Sequence, residues 1–213
     1  MRLACSDPAT SAADDDEASV YGCVKTSLAF VITNDGSTGS AFCVASGATA
    51  SFYATSAHLT QGSPTVLLYH QRPRYEKFAA TVVAEGDKDA ADLAILRVDS
   101  ASAPPLKLAE KSPKDESQVA LAGYARVQLW AAKQFGELIP SIRFGTVTSV
   151  INGGNLVLHD VVCRPGDSGG PLFDPRSGDV LGVQKGGWQE EEEGYAIGAP
   201  VLATFLKAHN VAT

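Results

Sequence analysis

Arg164-Pro165-Gly166-Asp167-Ser168-Gly169-Gly170-Pro171-Leu172 sets one serine among three glycines, with an aspartate directly ahead of it. Small residues on both sides let the backbone turn sharply, so that the Ser168 hydroxyl projects and neighbouring N–H groups converge on one point. A nucleophile for acyl transfer needs that arrangement. It also needs a base, because a neutral hydroxyl attacks poorly.

The chain offers four histidines, His58, His70, His159 and His209. His58 closes Tyr53-Ala54-Thr55-Ser56-Ala57-His58, an apolar run that ends in small residues. Asp92 opens the apolar run Asp92-Leu93-Ala94-Ile95-Leu96-Arg97-Val98, whereas its neighbours Asp87 and Asp89 have no such run behind them. Thr55-Ser56-Ala57-His58, Asp92-Leu93-Ala94-Ile95-Leu96 and Gly166-Asp167-Ser168-Gly169-Gly170-Pro171, in that order, resemble the three signatures of the trypsin-like (chymotrypsin-fold) serine proteases, closest in style to the bacterial ones. The resemblance extends from about Val20 to about Phe205. It implies a serine endopeptidase working through an acyl-enzyme on a protein or peptide substrate. His58 is then the base, Asp92 its orienting acid, Ser168 the nucleophile, and the N–H groups of Gly166 and Ser168 the oxyanion hole.

Short apolar runs of strand length, separated by Gly, Pro, Asn and Ser, recur along the chain. Six lie at Leu28–Ile32, Ala41–Ala45, Ser51–Thr55, Val66–His70, Phe78–Ala84 and Leu93–Val98. After a less apolar stretch from Ala103 to Glu116 come Gln118–Gly123, Arg143–Val150, Asn155–His159, Pro171–Phe173, Val180–Gln184 and Tyr195–Ala199. Arg126–Leu138 interrupts the rhythm and reads as a long loop with a short helical turn. From Pro200 to His209 the apolar period changes to that of a helix, with Pro200 suited to a first helical position. The pattern alone predicts an all-β chain. The resemblance adds the architecture: two six-stranded antiparallel β-barrels and a C-terminal α-helix, with residues 19–107 carrying His and Asp and residues 108–213 carrying Ser. Residues 1–18, with Asp14-Asp15-Asp16-Glu17, read as a solvated, disordered leader.

Composition narrows the function classes. With 17 basic and 24 acidic residues the net charge is −7, and no Lys/Arg cluster appears, which argues against a nucleic-acid partner. No apolar run reaches the ~18 residues of a membrane helix. Neither C-x-x-C nor H-x-x-x-H occurs, so no metal or cofactor is expected, although a lone calcium loop leaves little trace in a sequence. Met1-Arg2-Leu3-Ala4-Cys5 is too short for a signal peptide: the chain is cytoplasmic, or secreted or periplasmic if a leader was removed. Of four cysteines, Cys5 and Cys23 flank the acidic segment and suit a staple of the N-terminus; four reduced thiols are the alternative.

The chain departs from the animal proteases in three places. Leu59 stands where they carry the cysteine that bonds the counterpart of Cys43, which leaves Cys43 a small apolar core residue. No Ile-Val-Gly-Gly sequence is present to supply a new N-terminal amine for Asp167, which predicts direct folding to the active form and leaves the partner of Asp167 open. Carried over from the family pattern, Val162, Cys163, Gly186, Gly187 and Gly194 form the S1 pocket. With Val162 in place of trypsin's aspartate, and with glycines at 186 and 187 leaving the pocket open, a medium apolar P1 residue is expected. Glu190-Glu191-Glu192-Glu193 would favour a basic P1 instead, and Lys185 an acidic one. Two rival readings exist. Gly166-Asp167-Ser168-Gly169-Gly170 also fits the G-x-S-x-G elbow of α/β-hydrolases, with Asp179 and His209 as partners, but that fold needs helices alternating with parallel strands. The other is a catalytically silent binding module of protease shape.

Overall fold

A computed structural model describes residues 13–71, 75–100, 103–125, 138–188 and 193–212. Twelve strands close into two antiparallel barrels, ordered β1-β2-β3-β6-β5-β4 and β10-β11-β12-β9-β8-β7. The first comprises β1 (Leu28–Ile32), β2 (Thr38–Ser46), β3 (Ser51–Thr55), β4 (Thr65–Gln71), β5 (Tyr75–Glu85) and β6 (Ala94–Val98). The second comprises β7 (Gln118–Gly123), β8 (Ser141–Ile151), β9 (Leu156–His159), β10 (Pro171–Phe173), β11 (Val180–Trp188) and β12 (Glu193–Gly198). Closure by β1–β4 and β7–β10 pairing leaves neither sheet an open edge. The expected all-β pair of six-stranded barrels is therefore the observed fold.

The period-2 alternation of the strands explains why they read as continuous apolar runs. In β1, Ala29 and Val31 fill the barrel interior with Ala41, Cys43, Tyr53 and Leu96. The alternate residues Leu28 and Phe30 join Phe42, Ala54 and Ile95 in a second cluster that also contains Ala120, Ala122, Phe173 and Val183 of the other barrel. β7 divides the same way: Val119 and Leu121 face its own interior, Ala120 and Ala122 the shared seam. Both faces of these strands are buried, so polar alternation is lost.

Two longer helices seal the seam. The C-terminal helix α3 (Ala199–Ala208) carries Pro near its start and sends Leu202 and Leu206 into the seam cluster, as its apolar spacing predicts. The N-terminal helix α1 (Ala13–Ser27) begins inside the segment expected to be a disordered leader. Val24 is fully buried in the seam, with Val20 and Tyr21 packed beside it, and this tertiary docking overrides a weak local propensity. Cys23 is disulfide-bonded, whereas Cys43 and Cys163 keep their thiols, which excludes the four-thiol alternative. Residues 1–12, with the Cys5 half of the expected staple, lie outside the described residues, as do residues 126–137 of the interrupting loop and residues 189–192 of the acidic run. Among the described residues no helix is long and apolar enough to cross a membrane.

Phe30 sits at the centre of the seam, 1 % exposed, with its ring edge-on to Tyr124 at 5.7 Å. Phe30→Ala should cost about 3–5 kcal/mol of stability, read as a lower urea midpoint at unchanged m-value.

Candidate active site

His58 and Asp92 meet because they leave the same end of one strand pair. β3 and β6 run antiparallel with Thr55 opposite Ala94, so the chain three residues beyond Thr55 and the chain two residues before Ala94 emerge together. His58 then lies on a single helical turn, α2 (Ala57–Thr60), rather than on the strand end itself. Its backbone N–H donates to Asp92 Oδ1 at 2.8 Å, and its ring Nδ1 lies 2.7 Å from Asp92 Oδ2. The carboxylate is fully buried, while the imidazole side chain is 35 % exposed. A buried carboxylate that takes both its bonds from one residue places the proton on Nδ1. Nε2 is left as the acceptor on the exposed side of the ring. The decoys Asp87 and Asp89 are exposed.

Ser168 emerges by the same logic in the second barrel. β10 starts at Pro171, which pairs with Val183 of β11, so the chain just before β10 lies beside the continuation of β11 at Gln184 and Lys185. The Gln184 carbonyl accepts the Gly169 N–H at 2.8 Å and the Ser56 hydroxyl at 3.0 Å, joining the serine loop to the chain two residues before His58. The closeness requires glycine: a Cβ on Gly169 would lie 2.1 Å from the Ser40 carbonyl oxygen and 2.2 Å from Thr55 Oγ1, at a φ of +82°. The Ser168 hydroxyl donates to the Lys185 carbonyl at 3.3 Å, and among the described residues this is its one hydrogen bond. It is not directed at His58.

Ahead of the serine, Pro165 and Gly166 form the corner of a β-turn closed by Asp167 N–H to the Arg164 carbonyl at 3.0 Å. Gly166 has φ +102°, as the third residue of a type II turn needs. Among the described residues, the N–H groups of Gly166 and Ser168 have no hydrogen-bond acceptor. Two free donors on either side of one hydroxyl can receive a developing oxyanion.

The partner of Asp167 is Arg143. Arg143 Nη2 lies 2.6 Å from Asp167 Oδ1, with side-chain exposures of 15 % and 1 %. Asp167 Oδ2 accepts the Arg164 N–H at 2.6 Å, which braces the turn against the same carboxylate. Sequence reading missed Arg143. The signal was its parity on β8, where it shares a face with the buried Val147.

The five positions expected to line S1 differ in burial. Val162 is 61 % exposed. Cys163, in contrast, reaches between two of the glycines: a Cβ on Gly187 would lie 3.2 Å from Cys163 Cβ, and one on Gly194 would lie 2.5 Å from Cys163 Sγ. In front of Gly186 stands the Tyr195 hydroxyl, 2.6 Å from where its Cβ would be. Behind Cys163 is a buried polar network that sequence reading did not find. Gln184 Nε2 donates to Cys163 Sγ at 3.0 Å and to the Gly186 carbonyl at 2.7 Å, which turns its Oε1 toward His159 Nε2 at 2.8 Å. Burial lowers the pKa of His159 below the usual imidazole value, against the opposing pull of its bond to Gln184. Burial, reinforced by the Asp167 charge, raises the Cys163 thiol to about 12. His159 is a core residue; His209 is exposed and bonds the Phe205 carbonyl.

A sequence model of the trypsin-like peptidase domain matches residues 39–183. Among solved structures, the Rv3671c protease from M. tuberculosis in its active form superposes with a TM-score of 0.74 at 23% identity, over 100% of this chain and 93% of its own. The serine endoprotease from Yersinia pestis gives 0.73 at 17% identity, covering 95% of this chain and 68% of its own. The HtrA-type protease AlgW, solved with a tripeptide, gives 0.72 at 21% identity, covering 92% and 63%. At these identities the likeness bears on the fold. No curated protein sequence matches the chain.

Arg143→Met would strand the Asp167 carboxylate without its counter-ion. Breaking a buried pair from one side costs about 3–5 kcal/mol, so the variant should melt well below wild type, whereas Arg143→Met combined with Asp167→Asn should recover a large part of the loss in a double-mutant cycle.

Proposed function

Because the chain belongs to the family of trypsin-like peptidase domains, we propose that it is a serine endopeptidase acting through an acyl-enzyme, with Ser168 as nucleophile, His58 as general base and acid, and Asp92 as the group that fixes the imidazole. The observation that carries this reading is the pair of bonds from His58 to both oxygens of the buried Asp92, at 2.8 and 2.7 Å. A carboxylate there holds the tautomer whose Nε2 can take a proton, and it stabilises the imidazolium once formed.

The steps follow from those roles. In this reading the Ser168 hydroxyl leaves the Lys185 carbonyl and turns toward His58 Nε2. As Oγ attacks the substrate carbonyl carbon, its proton passes to Nε2 and the carbonyl π electrons move onto oxygen. The N–H groups of Gly166 and Ser168 receive that oxyanion, each donor being worth about 2.7–4 kcal/mol in the transition state. Collapse expels the amine, which takes the proton back from His58, and leaves the acyl-serine. Water then repeats the sequence and releases the acid.

For P1, the position of Cys163 supports a small uncharged side chain in place of the medium apolar one expected from glycines at 186 and 187. The thiol lies where a longer side chain would enter between Gly187 and Gly194, and neutral His159 and Gln184 behind it supply no counter-charge. The disulfide at Cys23 supports an oxidising compartment, in keeping with the secreted or periplasmic alternative. One observation favours the silent binding module instead, namely the Ser168 hydroxyl turned to Lys185 rather than His58. Resting proteases often hold this bond loosely until substrate arrives.

Exposure to a fluorophosphonate followed by mass spectrometry separates the two readings. Labelling at Ser168 that disappears in Ser168→Ala and drops at least about a hundredfold in rate in His58→Ala is the expected result; no labelling of folded wild type supports the binding module. On a peptide library, Cys163→Ala should raise kcat/KM for P1 Leu relative to P1 Ala by about tenfold or more, the scale of a methylene-sized change in a pocket. An unchanged ratio would remove Cys163 from the specificity pocket.

A further inference from the structure

We propose that Ser40 is a positioning residue that holds the oxyanion-binding turn in its working orientation from across the inter-barrel cleft; the inference rests on the acyl-transfer reading above. Ser40 belongs to β2 of the first barrel and is fully buried. All of its polar groups are engaged, its N–H and its hydroxyl proton at the serine loop. Its N–H donates to the Ser168 carbonyl at 2.8 Å, its carbonyl accepts the Thr55 hydroxyl at 2.7 Å, and its hydroxyl donates to the Gly166 carbonyl at 2.8 Å. The same hydroxyl oxygen accepts the Tyr124 N–H at 2.8 Å, so its own proton has one direction left, toward Gly166.

The consequence comes from peptide planarity. The C=O of Gly166 and the N–H of Asp167 are the two ends of one rigid plane. Ser40 holds the C=O end and the Arg164 carbonyl holds the N–H end. That plane lies between the two amides that have no other acceptor, Gly166 N–H and Ser168 N–H. Gly166, at φ +102°, has the backbone freedom to let the turn rotate. Pinning the plane at both ends removes that freedom before substrate arrives, which is the preorganisation that makes an oxyanion hole effective. Among the described residues the one side-chain donor to this carbonyl is Ser40, which comes from the other barrel. Its approach is crowded: a Cβ on Gly123 would lie 3.1 Å from both Ser40 Oγ and Asp167 Oδ1.

The test compares wild type with Ser40→Ala, which deletes the donor, and Ser40→Cys, which keeps the volume with a much weaker donor. Two inhibitors are used alongside substrate kinetics. A peptidyl aldehyde forms a hemiacetal: Ser168 Oγ bonds the aldehyde carbon, the serine proton goes to His58, and the former carbonyl oxygen occupies the hole as an anion. The matching peptidyl alcohol forms no adduct. Both variants should lose about ten- to a hundredfold in kcat at unchanged KM, the scale of a misaligned donor. Aldehyde affinity should fall by the same factor and alcohol affinity should stay constant. If Ser40→Ala does not fold, Ser40→Cys carries the comparison. Wild-type kcat in either folded variant would overturn the proposal, as would equal weakening of aldehyde and alcohol, which marks general loosening. A wild type that neither cleaves peptides nor binds the aldehyde would instead remove the acyl-transfer reading, and this inference with it.

Discussion

The close approach of Gly169 to the end of β3 is the constraint on which the site depends. With no Cβ at that position, the serine loop of the second barrel lies directly on the Ser40 carbonyl and the Thr55 hydroxyl of the first. Three cross-barrel bonds surround that contact: Ser40 N–H to Ser168, Ser40 hydroxyl to Gly166 and Ser56 hydroxyl to Gln184. A methyl group there would push the loop outward and break them together. The apolar seam brings the barrels within range. The glycine decides which atoms touch.

Two buried carboxylates flank the serine loop, and they are satisfied differently. Asp92 takes two hydrogen bonds from one histidine, so its charge is spent on fixing the tautomer and orientation of a ring that is itself partly exposed. Asp167 takes a full guanidinium and a backbone N–H, so its charge is neutralised and its role is to brace the turn. In relatives activated by cleavage, an incoming amine supplies the second kind of partner. Here the partner is encoded in β8. The loop is therefore braced from within the second barrel.

The barrels, the terminal helix and the three motif positions were legible because each leaves a local trace: apolar runs bounded by turn residues, a change of period at Pro200, and glycines around a serine. The first turns of α1 were not legible. Its acidic start resembles solvated chain, and its anchors, Val20, Tyr21 and Val24, stabilise it only through contact with a seam built from distant strands. Arg143, Ser40 and Gln184 were missed for a related reason. Each occupies an ordinary strand position, and each owes its role to an atom more than 15 residues away in sequence: Asp167 for Arg143, Gly166 for Ser40, His159 and Cys163 for Gln184. Inward parity on a strand marks a polar residue as needing a buried partner. It does not say which partner. Val162, named by pattern transfer, is exposed, and the side chain of the next residue, Cys163, stands between Gly187 and Gly194.

The division of the core has a functional consequence. Each barrel has its own interior cluster, and the seam forms a separate one shared by both barrels and by α1 and α3. His58 and Asp92 lie wholly on the first barrel, Ser168 and its turn on the second. Neither interior cluster by itself creates the site. It exists while the seam is closed, and then the polar bonds across the cleft set its geometry to within hydrogen-bond tolerance. Packing in a protein interior resists small displacements because its groups are close-packed rather than fluid. A seam of large side chains such as Phe30, Phe42 and Phe173 therefore suppresses the relative motion that would let Ser40 slip from Gly166. The apolar term supplies the rigidity, and the hydrogen bonds convert that rigidity into the direction of two N–H groups.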